Sequence, residues 1–151
     1  MPLPNFNRHG LLPEGIHTCT LGEVKAQFCW NPWRKELFEK LQEFLEDYPF
    51  ITANRVGMWI DGSFVREKEE PDDIDVVLDI EKHSEEVAKK VVWTKAAYSR
   101  EIWNNYRVDL WFQHPTLENN FVTFFQYLGE KGAAATNLNS RSKKGILRVD
   151  P

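Results

Sequence analysis

The clearest pattern of apolar and polar residues predicts a helix that begins near Asn31 and ends near Asp47. Asn31 is a typical N-cap residue, Pro32 suits the first helical position, and Pro49 stops the helix. The apolar stripe comprises Trp33, Leu37, Phe38, Leu41, Phe44, Leu45 and Tyr48, and the polar side comprises Arg34, Lys35, Glu39, Lys40, Glu43 and Glu46. We expect the apolar stripe to pack on the core.

Three further segments have the alternating or wholly apolar character of strands. They are Val56 to Ile60, Asp73 to Ile80 and Tyr106 to Phe112. In the second segment one face carries Ile74, Val76, Leu78 and Ile80, and the other carries Asp73, Asp75, Val77 and Asp79. The apolar face should pack on helices, so the acidic residues should lie on the opposite face. Ile146 to Val149 predicts a final edge strand.

Shorter helices are predicted around these strands. Thr20 and Glu23 can form a capping box at the start of the first of them. The others run from Ser84 to about Val92, from Lys95 to Asn105 and from about Leu117 to Leu128. Helices and strands interleaved in this way predict an α/β (α+β) fold, with a small mixed sheet and helices packed on one face.

Two segments have the composition of irregular structure. Residues 1–16 contain three prolines and two glycines, which predicts an extended arm that lies on the domain or on a partner. Residues 129–144 are rich in Gly, Ala, Asn and Ser, which predicts a mobile loop. At 151 residues, the chain 1–151 is expected to form one domain with one core.

The composition narrows the classes of function. A net charge of −4 argues against broad, non-specific binding to nucleic acid. Cys19 and Cys29 do not resemble a disulfide framework, and with His17 they match no zinc pattern. The first ten residues lack the apolar core of a signal peptide, and no apolar run reaches the length of a membrane span. We therefore expect a cytoplasmic protein with no membrane partner.

The main candidate for chemistry is a Gly-Ser turn followed by two carboxylates. Gly62 and Ser63 end one predicted strand, and Asp73 and Asp75 open the next. Because side chains alternate along a strand, the two carboxylates project from the same face. Two anions held so close favour a bound cation, and Mg²⁺ prefers such oxygen ligands. The small turn lets backbone amides approach a phosphate. These parts together predict a site for a metal and a triphosphate.

A third carboxylate completes the pattern. Asp109 lies inside the apolar strand Arg107-Val108-Asp109-Leu110-Trp111, where burial without a partner is costly. If this strand pairs beside the strand of Asp73 and Asp75, the three acids can surround a pair of Mg²⁺ ions. Asp61, at the end of the preceding strand, either supports this site or is solvated.

The hydrophobic-Gly-Ser, Asp-x-Asp and later acid resemble the pattern of the nucleotidyltransferase superfamily, which has the DNA polymerase beta fold. The size of the chain is similar to that of the bacterial minimal nucleotidyltransferases. Pro71-Asp72-Asp73-Ile74-Asp75-Val76 matches the family's Ser-Asp-Ile-Asp-hydrophobic strand, except that Asp72 replaces the usual serine. The resemblance covers roughly residues 56–112, and the loop after Ser63 lacks the glycine often found there.

The resemblance implies a role for each matching residue. Gly62 and Ser63 would hold the β- and γ-phosphates of a nucleoside triphosphate. Asp73 and Asp75 would bind both Mg²⁺ ions, with Mn²⁺ as a substitute. Asp109 would bind the catalytic ion and activate the acceptor hydroxyl.

Several other residues are weaker candidates for contact with a nucleotide. Charge and position make Arg66 and Lys68 candidates for the triphosphate. Trp111 shares a face with Asp109 and is a candidate for stacking on a base. The basic cluster Arg141, Lys143, Lys144 and Arg148 either binds phosphate or RNA or is a solvated loop.

The activity implied by the resemblance is Mg²⁺-dependent transfer of a nucleoside monophosphate, AMP from ATP, to a hydroxyl of a protein or RNA. Minimal nucleotidyltransferases often work beside a helical partner protein in toxin–antitoxin or phage-defence pairs, and relatives modify tRNA ends. The expected acceptor is therefore a helical partner protein or a tRNA.

Three other interpretations stay open. The Gly-Ser turn is an ordinary strand connection in the simplest of them, and Asp73 and Asp75 then cap strand ends. In the second, the fold is a catalytically silent binding module or antitoxin that masks a partner. In the third, the acids form a metal-dependent nuclease, which the acidic net charge disfavours.

Overall fold

The computed structural model describes residues 3–114, 129–136, 138 and 142–150. Its strands are β1 (Gly15–Cys19), β2 (Met58–Asp61), β3 (Ile74–Asp79), β4 (Val108–Gln113) and β5 (Gly145–Val149). They form a single sheet in the order β1-β5-β2-β3-β4. The central β2 is antiparallel to both neighbours, whereas β1 pairs in parallel with β5 and β4 in parallel with β3. The predicted mixed sheet is confirmed.

The helices are α1 (Leu21–Phe28), α2 (Pro32–Asp47), α3 (Phe50–Ala53), α4 (Glu85–Tyr106) and α5 (Gly129–Thr136), with a 3₁₀ turn at Gly62–Val65. Helices α1, α2 and α4 bury apolar residues in one core with the apolar face of β3. The expected α+β class is therefore confirmed. Among the described residues, no helix is both long enough and apolar enough to cross a membrane.

The local signals at the helix ends are confirmed. Thr20 and Glu23 form the predicted capping box at the start of α1. The side chain of Asn31 accepts a hydrogen bond from the Arg34 amide at 2.8 Å and caps α2. The helix ends at Asp47, as the following proline predicts.

Two predictions about the elements are wrong: one concerns a helix boundary and the other the position of a strand in the sheet. The segments Ser84 to Val92 and Lys95 to Asn105 form one continuous helix, α4. No Gly or Pro interrupts it, and the Thr94 hydroxyl, in the middle of the helix, donates to the Lys90 carbonyl at 2.7 Å. The final strand is internal rather than at an edge, because β1 pairs with its other side.

The predicted arm packs against the domain, whereas the prediction of a mobile loop is partly wrong. The arm of residues 1–16 ends in β1, which begins at Gly15, and Leu3, Leu11 and Leu12 of the arm are buried in the domain. Part of the predicted mobile loop 129–144 is helix α5. The alanines of that segment are good helix formers, which outweighed its glycines. The helix predicted for Leu117 to Leu128 lies outside the described residues.

A buried arginine ties α2 to the loop that follows the 3₁₀ turn. Arg34 was expected on the polar side of its helix, yet its side chain is fully buried. The guanidinium donates to the carbonyls of Phe28, Phe64 and Lys68, and it lies 3.8 Å from the ring centre of Trp30. Burial lowers the pKa of Arg34 to about 10, so the group stays charged at neutral pH. The 3₁₀ turn is thus anchored at the Phe64 carbonyl, and the loop that follows it at the Lys68 carbonyl.

This anchor predicts that α2 and the loop are stabilised together. Arg34→Met should lower the free energy of unfolding by about 3–5 kcal/mol, because two buried carbonyls and one partly buried carbonyl lose their donor. Urea denaturation measures the change. Lys35→Met, which removes the same charge from the exposed neighbouring position, is the matched control. Equal stability of the two variants would contradict this role of Arg34.

Candidate metal site

The structure brings the three predicted carboxylates together. Asp73 precedes β3, Asp75 lies in it, and Asp109 is the register partner of Asp75 on the parallel neighbour β4. One carboxylate oxygen from each of these residues lies within 4.8 Å of the other two. The half-buried acids therefore form one cluster at the start of two adjacent strands, on the face opposite the apolar side of β3.

The cluster is electrostatically strained without a cation. Burial, followed by the charges of Asp73, Asp109 and Asp61 in that order, raises the pKa of Asp75 to about 9. A divalent cation would remove this repulsion by neutralising the shared charge. The donor set consists of carboxylate oxygens, which suits Mg²⁺ or Mn²⁺. The residues present therefore fit the predicted metal.

The end of α4 holds Asp73 in place. The Trp103 indole N–H donates to Asp73 Oδ2 at 3.0 Å. The Arg107 guanidinium lies 4.1 Å from the centre of the Trp103 ring, and the Arg107 carbonyl accepts from the Ile74 amide at 2.9 Å. Arg107 has φ 52°, the left-handed conformation that ends the helix. The same turn thus fixes both the side chain of Asp73 and the start of β3.

The Gly62–Ser63 turn lies directly against the acids. Gly62 has φ 82°, and a Cβ atom there would overlap the carboxylate of Asp75. Only glycine therefore permits both the backbone conformation and the close approach. Arg34 of α2 donates to the carbonyls of Phe64 and Lys68, so α2 also holds the turn in place.

The two basic residues predicted to contact a triphosphate are placed differently. Arg66 is partly buried, and its pKa is lowered by burial and raised less strongly by the charge of Asp61. The side chain of Lys68 is exposed, and its carbonyl is a partner of Arg34. Within the described part of the chain, it is therefore Arg66 rather than Lys68 that interacts with an acid of this region.

A buried ion pair flanks the cluster. Asp61 is the register partner of Asp75 on β2, and its side chain is 1% exposed. The Lys144 ammonium pairs with Asp61 Oδ1 and is 5% exposed. Burial raises the pKa of Asp61, and Lys144 opposes that rise. Both residues were expected to be either functional or solvated, and neither is solvated.

Trp111 and the two cysteines are the remaining candidates from the sequence. The Lys95 ammonium lies 4.3 Å from the centre of the Trp111 ring, so this cation already occupies one face of the ring. Stacking of a base on Trp111 stays a prediction.

Cys19 and Cys29 are buried, which raises the pKa of both thiols, with a value of about 11 for Cys19. Neutral thiols are poor metal ligands.

Two supporting residues were missed from the sequence. Trp103 was expected only in the core or at an interface, and its partner Asp73 is distant in the chain. Lys144 was recognised only as part of a basic cluster. No local spacing predicts either contact, because each depends on how separate elements pack.

The raised pKa of Asp75 predicts how stability depends on pH. Between the ordinary value of 3.8 and about 9, the folded protein retains a proton that the unfolded chain releases. The free energy of unfolding of the metal-free protein should therefore fall as the pH rises through this window. Asp75→Asn should lessen that fall and be more stable than wild type at about pH 8.

Urea denaturation in EDTA across that range tests this dependence. Asp72→Asn, at the exposed neighbouring acid, is the control and should follow wild type. The prediction fails if Asp75→Asn and wild type lose stability in parallel as the pH rises.

The close approach of Gly62 predicts that a methyl group disrupts the cluster. Gly62→Ala should cost about 1–3 kcal/mol of stability and weaken Mn²⁺ binding, because it strains the backbone and displaces the Asp75 carboxylate. Gly15→Ala is the matched control, since Gly15 also has a positive φ (126°) but open space around it. Thermal unfolding and Mn²⁺ titration measure the effects. Unchanged Mn²⁺ affinity in Gly62→Ala would refute the role of the close approach.

Comparison with known proteins identifies a family but no function. Neither the curated proteins nor the solved structures contain a significant match to the chain. Residues 4–150 match a family described as a family of unknown function, DUF6932. Because the match extends over nearly the whole sequence, the chain belongs to the DUF6932 family.

Proposed function

We propose that this protein is a Mg²⁺-dependent nucleotidyltransferase that moves a nucleoside monophosphate from a triphosphate to an acceptor hydroxyl. The observation that carries the proposal is the cluster of Asp73, Asp75 and Asp109, whose carboxylate oxygens lie within 4.8 Å of one another. The backbone of Gly62 is in contact with the same cluster. A carboxylate site beside a small-residue turn supports binding of a metal–triphosphate pair.

The chain's own residues account for the parts of such a reaction. Asp73, Asp75 and Asp109 would hold the Mg²⁺ ions, which when bound neutralise phosphate charge and lower the pKa of the acceptor hydroxyl. The Gly62–Ser63 turn would position the β- and γ-phosphates, and Arg66 and Lys95 are nearby cations that favour an anionic ligand. Trp103 keeps one oxygen of Asp73 hydrogen-bonded and limits how its carboxylate can turn.

The proposed transfer needs no covalent enzyme intermediate. The acceptor oxygen forms a bond to the α-phosphorus, and the bond from that phosphorus to the bridging oxygen breaks. Pyrophosphate leaves with the electron pair, and Asp109 accepts the hydroxyl proton. Positioning and electrostatics therefore supply the catalysis.

The donor, acceptor and setting of the proposal come from the resemblance alone. They are ATP as donor, a helical partner protein or tRNA as acceptor, and a toxin–antitoxin or phage-defence pair as context. A cytoplasmic location stays a prediction.

Calorimetric titration with Mg²⁺ and ATP tests the proposal. Wild type should bind ATP only with Mg²⁺ or Mn²⁺ present, and Asp73→Asn/Asp75→Asn should weaken this binding by about 100-fold or more, because two metal ligands are lost. Asp72→Asn, which removes a neighbouring charge outside the cluster, should bind like wild type. Absence of nucleotide binding by wild type in the presence of metal would refute the proposed nucleotidyltransferase activity.

Labelled ATP separates an enzyme from a silent binding module. Wild type incubated with a lysate or a neighbouring gene product should label a protein or RNA, and the labelled species identifies the acceptor. Asp109→Asn should lower the transfer rate by about 100-fold or more, since it removes the proposed base. Metal-dependent ATP binding without transfer to any acceptor would favour the binding module.

A further inference from the structure

A fourth acid lies beside the proposed metal site, but it already has a partner. Asp61 is directly opposite Asp75 in the antiparallel register of β2 and β3. Directly opposed residues of neighbouring strands project from the same face, with their Cβ atoms about 5 Å apart. Asp61, Asp75 and Asp109 therefore form a row across three strands. Asp61 is nevertheless outside the group of carboxylates that approach one another within 4.8 Å.

The partner of this fourth acid is a lysine from another part of the chain. Lys144 immediately precedes β5, the strand that pairs with the opposite edge of β2. Its ammonium pairs with Asp61 Oδ1, and both side chains are almost completely buried, at 5% and 1% exposure. A buried carboxylate at this position needs a cation, and the chain supplies one covalently.

We propose that Lys144 is a tethered cation that keeps divalent ions away from Asp61 and so limits the metal site to Asp73, Asp75 and Asp109. An ammonium ion carries less charge than Mg²⁺, but its attachment to the chain removes the need to bind it from solution. Lys144 is thus a determinant of metal stoichiometry. This inference rests on the metal site of the proposed function, but it does not depend on nucleotide transfer.

The ion pair also has a purely structural interpretation, which makes a different prediction. If Lys144 only stabilises the fold, its removal leaves Asp61 with the Gly62 amide and the charge of Arg66 but without its ion-pair partner, and added metal does not specifically compensate. If Lys144 stands where a divalent ion would otherwise bind, its removal opens the carboxylates of Asp61 and Asp75 to a shared ion. The response of the variant to metal therefore distinguishes the two interpretations.

Mn²⁺ binding measured by electron paramagnetic resonance, together with thermal unfolding in EDTA or Mn²⁺, tests the proposal. Lys144→Met should bind one more Mn²⁺ ion per chain than wild type, and Mn²⁺ should raise its unfolding temperature more than that of wild type. Asp61→Asn/Lys144→Met should lose the additional ion. Lys143→Met, at the exposed neighbouring lysine, should bind Mn²⁺ like wild type.

Each result decides the proposal. Equal Mn²⁺ stoichiometry in folded Lys144→Met and wild type would overturn it, as would an additional ion that persists without Asp61. If Lys144→Met folds only when Mn²⁺ is present, the proposal is supported. If it stays unfolded in Mn²⁺ while Asp61→Asn/Lys144→Met folds, the proposal is overturned. Wild type that binds no Mn²⁺ would overturn both the metal site of the proposed function and this inference, whereas Mn²⁺ binding by wild type with the same stoichiometry in Lys144→Met would overturn the inference alone.

Discussion

Burial of one face of β3 determines where the acids of this protein lie. The alternate apolar residues from Ile74 to Leu78 are buried in the core with the helices, so Asp73 and Asp75 must project from the other face. Pairing in register with β4 then brings Asp109 beside Asp75. A slip of one residue would bury the acids and expose the apolar residues. The free energy gained by the core therefore holds the carboxylates together against their mutual repulsion.

The surrounding elements convert this row of acids into a shaped site. Arg34 anchors the loop after the Gly62 turn from the side of α2, and Trp103 holds Asp73 from the side of α4. Arg34 has several donors on one long side chain, and Trp103 has a large flat ring. Arg34 therefore holds the segment that follows Gly62, and Trp103 holds one of the carboxylates.

Features encoded within a few residues could be predicted from the sequence, whereas contacts between distant elements could not. The caps of α1 and α2 and the common face of Asp73 and Asp75 follow from local spacing, and the structure has them. Arg34 was assigned to the polar side of α2 because its side chain is charged. No local sequence feature shows that its guanidinium will bind buried backbone carbonyls. β1 was missed because its strand is short and follows a proline-rich arm. The pair of Asp61 and Lys144 joins residues that only the sheet order brings together.

The charge balance along the row explains why cation binding should be confined to one end of it. Lys144 neutralises Asp61 from within the chain, so this acid adds little attraction for an external ion. Asp75 and Asp109 are in register on the next strands and share their charge with Asp73. The pKa of Asp75 is raised first by burial and then by the charges of its neighbours, Asp73 and Asp109 foremost. The fold therefore supplies a buried lysine for Asp61, and the proposed ion site lies among the other three acids, beside the glycine turn.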